Sequence, residues 1–79
     1  MDFGEALCCL RSGKRVYRAG WNGKRMWIRL STPLNVKLEG SVEQYKFLPF
    51  IEMKTVHNEL VPWLASQTDV LAHDWEEVG

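Results

Sequence analysis

The chain has 79 residues, with ten basic and ten acidic side chains and a formal net charge of zero. That length accommodates one domain, and a neutral chain is a poor candidate for DNA or RNA polymers, whose capture rests on neutralising phosphates. No apolar run approaches the ~18 residues of a membrane-spanning helix. The acidic start Met1-Asp2-Phe3-Gly4-Glu5 lacks the basic and apolar regions of a signal peptide, so a cytoplasmic protein away from membranes is expected.

A chain this short buries only roughly 60–65% of the surface its unfolded form exposes. Small scaffolds compensate with disulfides, a metal or oligomerisation. The only cysteines, Cys8 and Cys9, are adjacent and unsuited to an ordinary structural disulfide. No zinc-ligand spacing is present. A homo-oligomer without metal or cofactor is the remaining expectation, with four tryptophans available for contacts. Charge is unevenly spread. Seven basic and no acidic residues lie between Arg11 and Arg29, whereas Asp69, Asp74, Glu76 and Glu77 close the chain without a Lys or Arg among them. The two stretches either form separate faces or pair with one another.

Asp2 and Glu5 have the spacing of a capping box, which predicts a helix from Phe3. Phe3, Ala6, Leu7 and Leu10 form one apolar stripe, and Gly13 suits the position just past the helix end. Val16-Tyr17-Arg18 reads as a short strand. Gly20-Trp21-Asn22-Gly23 then reads as a turn that presents a flat ring and leaves backbone N–H groups free. Lys24 to Leu30 alternates as a second strand, with Met26, Ile28 and Leu30 on one face, completing a hairpin.

Ser31 to Phe47 is a long connection with turn signals at Thr32-Pro33-Leu34-Asn35 and Glu39-Gly40-Ser41. Val36-Lys37-Leu38 is a strand fragment within it, and the whole suits a flap or a subunit-contact arm. Phe47 to Lys54 is a strand candidate, firm from Phe50, with Pro49 marking an edge position or the strand start. Leu60-Val61 returns across a polar turn, and Pro62-Trp63 ends it. Ser66 to Asp69 starts a short helix. Asp74 to Val78 is the last strand. The fold class is α+β: an N-terminal helix packed on a small antiparallel sheet, with a short second helix before the last strand.

The residues carry the parts of a nucleotide-binding site rather than those of a catalyst. Trp21, Trp27 and Trp63 offer faces for a base, at about 1–3 kcal/mol per stack. Arg18 suits a phosphate. Asn22, Gln67, Thr68 and Asp69 suit sugar hydroxyls and base edges. Core or interface packing is the other reading of each Trp. His73 beside Asp74 and near Asp69 is a conceivable acid–base set, so an enzyme hydrolysing its ligand stays open, as does a module that binds a host protein directly. His57 lies in a polar turn.

Phe3-Gly4-Glu5-Ala6-Leu7, Gly13-Lys14-Arg15-Val16, Arg18-Ala19-Gly20-Trp21-Asn22-Gly23, Val61-Pro62-Trp63, Ser66-Gln67-Thr68-Asp69 and Leu71-Ala72-His73-Asp74-Trp75 together resemble the second Thoeris anti-defense family of phage proteins. The resemblance implies a non-enzymatic sponge in the cytoplasm of the infected host. Such a protein holds glycocyclic ADP-ribose from TIR enzymes uncleaved and so prevents effector activation. For some members it also implies capture of cyclic dinucleotides from cGAS-like enzymes. It implies homotetramers with pockets shared between protomers. Trp21, Asn22, Ser66, Gln67, Thr68 and Asp69 match its motif as pocket residues. The chemistry of the residues themselves adds Trp27, Trp63 and Gly23 of the turn, and Arg18 with Arg25 facing the diphosphate. Arg29 and the arm around Lys37 stand as a second nucleotide site.

Overall fold

A computed structural model describes residues 1–21, 25–33, 36–37, 40 and 42–79, with the side chains of 36 and 37 outside the description. The first helix, α1 (Phe3–Arg11), forms because both halves of its capping box close. The Glu5 N–H donates to Asp2 Oδ1 at 2.8 Å, and the Asp2 N–H donates to Glu5 Oε1 at 3.1 Å. The helix stops at Gly13, whose φ of +83° favours glycine. There the Gly13 N–H donates to the Leu10 carbonyl and the Lys14 N–H to the Cys9 carbonyl, both at 3.0 Å. This is the Schellman pattern.

Strand β1 (Val16–Arg18) leads into a 3₁₀ turn, Ala19–Trp21, and then to β2 (Trp27–Ser31). The predicted strand from Lys24 begins instead at Trp27, because Arg25 has φ +57° and breaks the extended backbone. Within β2 the expected alternation holds around buried Ile28. The hairpin is shallow, since only Val16 and Ile28 lie opposite one another. The long connection builds a ladder of its own from β3 (Val36–Lys37) and β4 (Gln44–Tyr45); Leu38 lies outside the described residues.

The strand β5 (Phe50–Lys54) pairs along its full length with β2. It is therefore internal, and Pro49 marks its start rather than a sheet edge. The edge strand β6 (Leu60–Pro62) contains its own proline, where a missing N–H is tolerated. Next come α2 (Gln67–Val70) and β7 (Trp75–Glu77). The main sheet is antiparallel, in the order β6-β5-β2-β1-β7. The fold class read from the sequence is thus observed as helix plus five-stranded sheet.

Among the described residues the fully buried core is small: Ala6 and Leu10 from α1, Val16, Ile28 and Trp75 from the sheet. Aromatic rings extend it. The Trp75 ring centroid lies 5.4 Å from those of both Phe3 and Trp21, and 6.0 Å from that of Trp63. The radius of gyration is 14.8 Å, above the roughly 12 Å of a compact chain of this length.

Candidate functional site

The turn that carries Trp21 is held from outside its own stretch of sequence. The pairing of β1 with β7 sets Arg18 opposite Trp75, which brings Asp74 beside the turn. The Ala19 N–H donates to the Asp74 carbonyl at 3.0 Å, and the Gly20 N–H donates to Asp74 Oδ2 at 2.8 Å. Arg18 completes the arrangement. Its Nε–H donates to Asp74 Oδ1 and its Nη1–H to Asp69 Oδ1, each at 2.9 Å.

Asp69 has a second task. Its Oδ2 accepts from the Ser66 N–H at 3.0 Å and from the Ser66 hydroxyl at 2.8 Å, closing the capping box that starts α2. Burial pushes the Asp69 carboxyl up, but the hydrogen bonds from Ser66 and Arg18 outweigh it and hold the group below the ordinary carboxylate value. The Asp74 carboxyl is also held low, first by the Arg18 hydrogen bond and then by the Gly20 N–H. The same contacts raise Arg18 further into its charged form, Asp74 contributing most.

Beside this network lies a cleft of about 380 Å³, within the 300–1,000 Å³ usual for small-molecule sites. Its aromatic lining is Tyr17, Trp21 and Trp27, and its cationic lining is Arg18, Arg25 and Lys54; Met26 and Val78 complete it. Arg15 sits over the Trp27 ring, with its guanidinium carbon 5.1 Å from the ring centre. The Glu76 carboxylate pushes the Tyr17 phenol up, by hydrogen bond first and charge second. Lys54 Nζ donates to the Arg25 carbonyl at 2.9 Å and so fixes the far end of the segment that begins at the Trp21 turn.

Of the residues singled out from sequence, the fold gathers Arg18, Trp21, Arg25 and Trp27 around this cleft. Trp63, Ser66, Gln67, Thr68 and Asp69 are not among its lining residues. Trp63 packs near Phe3, Trp21 and Trp75. Ser66, Thr68 and Asp69 form a hydrogen-bonded cap, with Ser66 and Thr68 hydroxyl oxygens 2.9 Å apart. Asn22 and Gly23 lie outside the described residues. Arg29 makes a 2.6 Å ion pair with buried Glu52, its cross-strand neighbour.

Sequence reasoning missed Tyr17, Met26, Lys54 and Val78 as lining residues. Lys54 and Val78 come near Trp21 through strand pairing, which no local spacing records, whereas Tyr17 and Met26 lie within five residues of it in the chain. The uneven charge was informative, and it resolves as pairing within the chain: Lys14 with Glu77, and Arg18 with Asp69 and Asp74.

Residues 1–78 match the Tad2-like family, described as Thoeris anti-defense 2-like domain. A protein of Bacillus phage SP01 named Thoeris anti-defense 2 is 40% identical over 85 aligned positions, which take in 100% of this chain and 96% of that protein. No helix among the described residues is long and apolar enough to cross a membrane. The expected resemblance thus holds across the whole chain, which belongs to the Thoeris anti-defense 2 family and, with it, to the phage proteins that counter Thoeris immunity.

Proposed function

We propose that this protein counters Thoeris immunity by sequestering a cyclic nucleotide signal, glycocyclic ADP-ribose, without cleaving it. The observation that carries the reading is the cleft itself. Among the described residues, three aromatic side chains and three cations converge on one space, which is the chemistry a base and a diphosphate require. Arg25 and Lys54 supply the positive charge. Arg18 contributes less, because its charge is offset by Asp69 and Asp74.

The same network favours capture over turnover. The carboxylates that a hydrolase built with His73 would draw on, Asp69 and Asp74, are each engaged at both oxygens by donors of the protein itself, Arg18 among them. These contacts hold both groups ionised. The reading assigns the protein no enzymatic step. In this reading the Ser66–Asp69 cap completes the pocket from a neighbouring protomer.

Assembly as a homotetramer belongs to the same reading. It is supported by the small core, the elongated shape, and large apolar residues left exposed, among them Leu48, Leu64 and Leu71. Cyclic dinucleotides are the second ligand class to test. The site of action is the cytoplasm of the infected host.

The test is calorimetric titration with glycocyclic ADP-ribose, followed by heat denaturation of the complex and analysis of the released ligand. Tight binding with intact ligand recovered is expected. Recovery of a linear product overturns capture in favour of hydrolysis. Absence of binding heat with this ligand and with cyclic dinucleotides favours direct blockade of a host protein. Native mass spectrometry reads the subunit number, and a stable monomer counts against a shared pocket.

A further inference from the structure

We infer that Asp74 is a positioning residue of the site: it holds the backbone turn that sets the Trp21 ring, and does so before any ligand arrives. The inference rests on the sequestration reading for its effect on affinity, but its structural content stands alone.

Three donors converge on this one residue. The Ala19 N–H meets its carbonyl, the Gly20 N–H meets Oδ2, and Arg18 Nε–H meets Oδ1. Two consecutive N–H groups of a 3₁₀ turn are thereby satisfied by a residue 54 positions from Gly20. The next residue, Trp75, is fully buried, and its ring packs edge-on against Trp21 at 5.4 Å and 81°. The dipeptide Asp74-Trp75 therefore fixes Trp21 twice, through the backbone of its turn and through its ring.

Gly20 carries the complementary signature. A Cβ built there would lie 2.9 Å from Asp74 Oδ2, so the turn approaches the carboxylate more closely than any side chain allows. Arg18 is the splint: by also binding Asp69 it ties the carboxylate to the start of α2. A turn held this way presents its ring without an ordering cost on binding. When the hold is lost, only a fraction of molecules carry the competent turn, and the apparent Kd rises by the inverse of that fraction.

Asp74→Asn is the informative variant. Its amide offers one acceptor where two donors point, so either Gly20 or Arg18 faces an N–H₂ group. Gly13→Ala serves as the control. It strains a left-handed position at the end of α1 with nothing within 4 Å, so it destabilises without touching the turn. Calorimetry with glycocyclic ADP-ribose is expected to show Asp74→Asn weakened about tenfold and Gly13→Ala within about twofold of the parent. Gly20→Ala weakens binding comparably in the parent, but adds little in an Asp74→Ala background, where the clash is gone.

Parent-like affinity of Asp74→Asn overturns the inference. So does equal weakening of Asp74→Asn and Gly13→Ala, which would mean loss of stability only. Simple addition of the Gly20→Ala and Asp74→Ala costs overturns it as well. If the parent binds no cyclic nucleotide, the sequestration reading falls, and amide exchange in the free protein decides the positioning role. Faster exchange at Ala19 and Gly20 in Asp74→Asn than in Gly13→Ala upholds it. Equal exchange in the two variants overturns it.

Discussion

Trp21 is expected to serve stability and ligand capture at once, and the two roles can be separated. The ring is half-buried and meets Trp75 at 5.4 Å and 81°, and Trp63 at 6.5 Å and 70°. Edge-to-face pairs contribute about 0.5–1.5 kcal/mol each beyond burial. Burying roughly half of a Trp side chain, about 100 Å², adds about 2–3 kcal/mol. Trp21→Ala should therefore cost about 3–5 kcal/mol, the usual range for Trp truncation. A 79-residue chain has roughly 4–12 kcal/mol in all, so the variant stays folded only at the upper end of that range. At roughly 4–8 °C per kcal/mol, Tm should fall by about 12–40 °C. Trp21→Phe keeps a ring in both pairs and should cost about 1 kcal/mol. Urea denaturation followed by far-ultraviolet circular dichroism measures both variants. An unchanged urea midpoint for Trp21→Ala would refute the aromatic packing argument. In the ligand assay, loss of one stack corresponds to about 5- to 150-fold weaker binding, with Phe restoring most of it.

Three further outcomes follow from the same structure. Asp2→Ala removes one half of the α1 capping box and should cost about 1 kcal/mol, read as a drop in Tm of about 4–8 °C. Leu10→Ala empties a fully buried site and should cost about 2–5 kcal/mol; a loss below 1 kcal/mol would show that the helix–sheet contact relaxes freely. Asp69 and Asp74 bind protons less readily when folded than when unfolded, since their folded values are depressed. Their contribution is therefore complete above the unfolded carboxylate value of about 3.9 and is lost as pH falls below it. The urea midpoint should fall from pH 5 to pH 3, and fall less in Asp74→Asn. A midpoint that rises over this window contradicts the ion-pair network.

Local chemistry alone was enough to place α1 from its capping box to Gly13, and to place α2 from Ser66 and Asp69. In each case the decisive hydrogen bonds join residues three to five apart, and sequence spacing records them directly. The strands β1, β5 and β7 were legible from apolar alternation and the turn residues that bound them, and the family from the order of its motifs. Strand order was not, because alternation says which face a residue occupies and nothing about which strand lies beside it. That is why Pro49 left an internal strand and an edge strand equally open until the pairing of β5 with both β2 and β6 was seen. The site divides along the same line. Trp21 and its glycine-flanked turn stand out in one dimension. Tertiary structure alone decided that Arg18 would be spent on Asp69 and Asp74, that Lys54 would close the cleft, and that Asp74 would hold the turn. Those contacts span tens of residues and exist only after the sheet has brought β1 against β7 and β2 against β5.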